Sequence, residues 1–122
     1  MGGRSSSSAR GGVITWKKSD YDKEVSDFKT WIDGHSDAQG TYDFLLSDYT
    51  NDFNAAKKSK NQEAINYRAM QVAALKSKEV KDYVEYKVAS NANRQAYKDR
   101  KIDVYTYKQR ASELNKKYNQ NY

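Results

Sequence analysis

The stretch VYTYKQRASELNKKY, residues 104–118, decides how this chain folds. Val104, Tyr107, Ala111, Leu114 and Tyr118 recur at spacings of three and four. That puts them in one apolar stripe along an α-helix of 3.6 residues per turn. Asp103, just ahead, offers a carboxylate to the free N–H groups of the first turn. The same rhythm runs back through the chain. A helix predicted to start after Ser19, with Asp22 in its first turn, carries Tyr21, Val25, Phe28 and Ile32 and stops at Gly34. A second, capped by Thr41, carries Tyr42, Leu45, Leu46, Tyr49, Phe53 and Ala56. A third begins near Asn61 with Ile65, Ala69, Val72, Ala73 and the stem of Lys76. Across Ser77 the pattern fits either a restart or one continuous rod, continuing through Val80, Val84, Val88 and Ala92.

All six glycines lie at or before Gly40 and proline is absent, so residues 41–122 contain neither strong helix breaker. The expected fold is all-α: a small bundle of four to five helices in a single domain over residues 15–122. Residues 1–14, rich in Gly, Ser and Arg, have almost nothing to bury and read as a flexible, disordered N-terminal arm. Val13 to Trp16 fit a short extended segment pinning that arm. Internal repeats are absent.

Hydrophobic residues make up only 37% of the 122, but eleven Tyr, three Phe and two Trp supply large areas for burial. A modest core is expected. The absence of cysteine excludes disulfides and thiolate metal sites. There is neither the run of ~20 apolar residues that a membrane span needs nor the apolar stretch of a signal peptide. The expectation is a soluble protein that makes no membrane contact.

Catalysis needs convergent, tunable groups, and few are present. The single histidine, His35, lies in the polar turn Asp33-Gly34-His35-Ser36-Asp37 and reads as a solvated turn residue. Asp20/Asp22 and Asp99/Asp103 lack the glycine and closing glutamate of a calcium loop. No phosphate loop, nucleophile elbow or zinc spacing occurs. The chain reads as a non-enzyme that needs no metal and no cofactor.

Charge is the sharper clue. Residues 17–56 hold nine acids against four lysines, whereas residues 57–122 hold sixteen basic residues against seven acids. Candidate nucleic-acid contacts are Arg4 and Arg10 of the arm, Lys57, Lys58 and Lys60, then Arg94, Lys98, Arg100, Lys101, Lys108 and Arg110. Lys and Arg neutralise phosphates and release counterions. The interleaved Tyr67, Tyr83, Tyr86, Tyr97 and Tyr105 offer faces on which unpaired bases stack. The plain alternative is a solvated lysine face, partly neutralised by Glu63, Glu79, Asp82 and Glu85. Asp43, Asp48 and Asp52 of the acidic half are candidate protein contacts. That half either faces the basic half, within the fold or in a neighbouring copy, or mimics a nucleic-acid backbone; the plain alternative is helix-capping and solvated surface acids.

Two stretches carry resemblances. Met1-Gly2-Gly3-Arg4-Ser5-Ser6-Ser7-Ser8 resembles the leaders of small phage and mobile-element proteins of low-GC Gram-positive bacteria. Residues Ala96 to Lys108, with Leu114 after them, resemble a helical hairpin found near the C-termini of bacterial proteins. Arg100 stands where that hairpin pattern has glycine. The first resemblance implies either an accessory inhibitor of a host nucleoprotein, anti-CRISPR proteins included, or a component of a phage particle. The second implies an interaction or oligomerisation element. With the split charge, the Arg/Ser arm and the missing catalytic groups, the first resemblance makes the leading expectation a phage-type accessory protein that binds a nucleoprotein and inhibits a host nuclease such as a CRISPR effector. The alternative is a self-associating scaffolding component. Expected partners are nucleic acid or a nucleoprotein complex, a host protein, or further copies of the chain. The expected location is the bacterial cytoplasm or the particle itself.

Overall fold

Local capping sets where each helix starts. The computed structural model describes residues 16–119, so the arm with Arg4 and Arg10, and residues 13–15, lie outside the described residues. Helix α1 spans Lys18–Asp33 and so begins before Ser19. Asp20 is the reason: its carboxylate accepts the Lys17 backbone N–H at 2.8 Å, the reciprocal half of a capping box. Helix α2, Ala38–Ser59, likewise starts ahead of Thr41, because Asp37 caps it by accepting from the Gly40 N–H at 2.9 Å. A Cβ on Gly40 would sit 2.3 Å from that carboxylate, so the cap depends on glycine there.

Gly34 is different. It is right-handed (φ −77°, ψ −3°), and an added Cβ would meet only carbonyl oxygens at 3.6 Å. Gly34→Ala is therefore expected to stabilise the fold by about 0.4–1 kcal/mol by restricting the unfolded chain. A rise in the urea midpoint at unchanged slope is the check; a fall contradicts it.

Helix α3, Gln62–Leu75, is capped by Asn61, and α4, Lys78–Lys98, by Ser77, whose hydroxyl accepts from Val80 N–H at 3.3 Å. The chain is thus broken at Lys76–Ser77, with no continuous rod. Helix α5, Val104–Lys117, starts at Asp103, which accepts from Thr106 N–H at 2.7 Å.

These five helices, the only regular elements among the described residues, form an all-α bundle. Tyr42, near the start of α2, donates its hydroxyl proton to the Leu75 carbonyl at the end of α3 at 2.9 Å, so α2 and α3 form an antiparallel hairpin. Helix α4 runs alongside α1 in the same direction. Lys29 meets Glu79 at 3.7 Å, Asp33 meets both Tyr83 and Lys87 at 2.9 Å, and Ser36 meets Asn91 at 3.1 Å. Past Asn91, α4 has run beyond the end of α1. Helix α5 then folds back along α4, with Asn93 donating to the Tyr107 carbonyl at 3.0 Å and Tyr86 to Asn115 at 2.9 Å.

The core joins Val25, Phe28 and Ile32 of α1 to Tyr42 and Leu45 of α2, Ala74 and Leu75 of α3, and Val80, Tyr83, Val84 and Tyr86 of α4. Phe28 meets Tyr49 edge to face, centroids 5.1 Å apart. Three stripes differ from the sequence expectation; in α5 none of the five stripe residues is fully buried, and Val104, at the start of the helix, is 48% exposed. In α3 the buried face is Met70, Gln71, Ala74 and Leu75, and Ala73 is exposed. This helix packs against α1, α2 and α4, so the phase of its small residues did not reveal its core face. In α4 only Val80 and Val84 of the expected four are buried; Val88 and Ala92 are exposed because the helix leaves the core.

Candidate nucleic-acid interface

The turn between α4 and α5 is built against local preference. Lys101 N–H bonds the Ala96 carbonyl at 2.9 Å and Arg100 N–H the Tyr97 carbonyl at 3.0 Å, the paired bonds of a Schellman motif. Its hinge residue, Arg100, lies at φ 60°, the left-handed region that favours glycine. The turn of the resembled hairpin thus forms with arginine in the glycine position.

Three of the sequence candidates, Lys98, Arg100 and Lys101, meet at this turn, while Arg94 and Arg110 line other clefts. Arg94 and Lys98 come from the last turns of α4, Arg100 and Lys101 from the turn, and Lys108 and Arg110 from α5; all six are exposed. Tyr97, Lys98, Arg100, Lys101, Ile102 and Asp103 line one shallow cleft at the tip. Tyr97 stacks on Tyr107, ring centroids 4.8 Å apart at 18°, and remains 41% exposed, so the pair presents a flat platform beside the cations. Tyr105 is 71% exposed.

Other candidates are elsewhere. Lys57 and Lys58 close the last turn of α2, where cations complement the helix dipole, and Lys60 is its left-handed cap. The 22 residues of α2, about 33 Å of helix, separate them from the α1–α2 turn, beside which α4 runs. The expected basic surface is therefore split between two ends. Tyr83 and Tyr86 are corrected outright as stacking faces: both are buried, their hydroxyls bonded to Asp33 and Asn115. Burial also raises the Tyr67 phenol above its ordinary value.

The acidic half is partly consumed inside the fold. Asp33 receives Lys87 and Tyr83, which hold its carboxyl below the usual range, and Asp52 lies 3.9 Å from Arg68. Glu24 accepts from the buried Gln71 at 2.8 Å. Asp43 accepts from Gln39 at 3.0 Å but stays exposed, as does Asp48. Between them Phe44 is 64% exposed, an apolar contact that the sequence reading placed in neither stripe nor site. The paired acids are likewise occupied: Asp20 caps α1, Asp22 pairs with Lys18 at 3.0 Å, Asp99 accepts from Gln95 at 2.9 Å, and Asp103 caps α5.

Sequence reasoning missed one feature. Lys87, Asn91, Arg94 and Lys98 recur at four, three and four along α4, a polar stripe that faces the α1–α2 turn across a second cleft. That spacing was legible; its facing partner, His35, was not, being 56 positions away from Asn91.

No helix among the described residues is long and apolar enough to cross a membrane. Comparison with protein-family models, curated proteins and solved structures finds no match to this chain.

Proposed function

We propose that this chain is a non-enzymatic accessory protein of the phage type that binds a nucleoprotein through the α4–α5 hairpin and inhibits a nuclease such as a CRISPR effector. The observation that carries the reading is the hairpin tip. It gathers Lys98, Arg100 and Lys101 around an exposed tyrosine stack, and it keeps arginine where glycine would cost less. Cations beside aromatic faces suit phosphate neutralisation and base stacking on unpaired strands. The exposed Phe44, flanked by Asp43 and Asp48 on α2, supports a separate protein contact.

The test is binding of labelled single-stranded and duplex DNA across a salt series. Expected is tighter binding of the single strand, with log affinity falling linearly against log salt. No binding at low salt sends the lysines back to a solvating role.

A second reading, a self-associating structural component, rests on the groove between α4 and α5, where Ala89, Ala92 and Leu114 give an apolar floor that a second copy would cover. A monomer at high concentration in sedimentation equilibrium rules this reading out.

A further inference from the structure

We propose that the cleft between α4 and the α1–α2 turn is a binding site for a phosphate group. It deepens the hairpin reading and rests on it only for where the phosphate comes from.

One wall is the polar stripe of α4; the other is the turn carrying His35 and Ser36. The walls are held at a fixed separation, since Asn91 donates to the Ser36 carbonyl at 3.1 Å. At the cleft's inner end Lys87 is committed to Asp33 at 2.9 Å and only 16% exposed, so its charge is already neutralised. Arg94 and Lys98 line the same cleft and have no acidic partner among the described residues; Arg94 donates to the neutral Asn91 amide oxygen at 3.4 Å. Two positive charges match the charge of about −1.5 to −2 on a free phosphate or monoester near neutral pH, or two neighbouring backbone diesters at about −1 each.

Donors complete the match. The guanidinium gives a planar fork, the ammonium a mobile point charge, and Gln95 an amide N–H₂ on the same wall. Across the cleft His35 is fixed in orientation. Its Nδ1 lies 2.7 Å from the Trp31 carbonyl, which can only accept, so Nδ1 carries the proton. Its ring stacks on the Trp31 indole at 5.3 Å. Nε2 is then the nitrogen left for a ligand.

The probe is inorganic phosphate, added to the full chain at fixed pH and ionic strength matched with chloride. The readout is the imidazole C–H signals of the chain's single histidine. A saturable shift is expected. It should be weakened about tenfold in Arg94→Gln/Lys98→Gln, a loss of about 1.4 kcal/mol, and unchanged in Lys57→Gln/Lys58→Gln. A linear drift equal to that with chloride overturns the site, as does equal saturation in R94Q/K98Q. A second arm adds a single-stranded oligonucleotide with unphosphorylated ends to the phosphate-saturated chain. Displacement of phosphate supports the site and assigns it to the nucleic-acid backbone. Phosphate that stays bound supports it as a site for free phosphate, and separates it from the fate of the hairpin reading.

Discussion

Replacing Lys98, Arg100 and Lys101 together by glutamine is expected to weaken single-stranded DNA binding by about tenfold to a thousandfold and to flatten its salt dependence. The three cations share one cleft at the hairpin tip, so a strand crossing it meets all of them. With a slope of about −0.7 per neutralised phosphate on single strands, loss of three contacts reduces it by about 2. All three are exposed, so circular dichroism and the thermal midpoint should hold. An unchanged slope would show that the tip does not touch phosphate.

Arg100→Gly separates the two roles of the turn. Glycine relieves the left-handed φ of 60° and should stabilise the fold by about 0.5–1 kcal/mol. The same change removes a cation, so binding should fall while stability rises. If binding and stability rise together, arginine at this position has no role in recognition.

Leu75→Ala is expected to have the largest effect on stability. Leu75 is 0% exposed, packs in the central cluster, and its carbonyl receives the Tyr42 hydroxyl. Truncating a fully buried leucine costs about 3–5 kcal/mol, the transfer term plus the cavity. Against a total stability of about 5–15 kcal/mol this removes a large part of the margin, lowering the thermal midpoint by roughly 15–30 °C in a domain this small. Val104→Ala, at an exposed position of α5, should change stability by less than about 0.5 kcal/mol. A loss below about 1 kcal/mol for Leu75→Ala would contradict the central position given to α3.

Local signals were legible and long-range ones were not. The stripes of α1 and α2, the Asn61 and Asp103 caps, and the alternative restart at Ser77 could all be read along the chain, because each depends on residues within one or two turns. Thr41 lost to Asp37 because both are good caps and only the geometry around Gly40 decides between them. Tyr83 and Tyr97 look alike in sequence. One is buried because α4 lies against α1 at that level, and the other is exposed because α4 has run past it. The basic run that reads as one surface is divided by the length of α2, which only the chain reversals show. The cleft between His35 and Arg94 joins segments far apart in sequence, and no local spacing encodes it.

Whether the α4–α5 tip is the nucleic-acid interface is tested most directly by amide chemical-shift mapping of the full chain during titration with single-stranded DNA. The hairpin interface predicts perturbations concentrated at residues 94–108, with residues 57–60 at the other end of α2 unmoved. Perturbations centred on residues 57–60, or none at low salt, would contradict it.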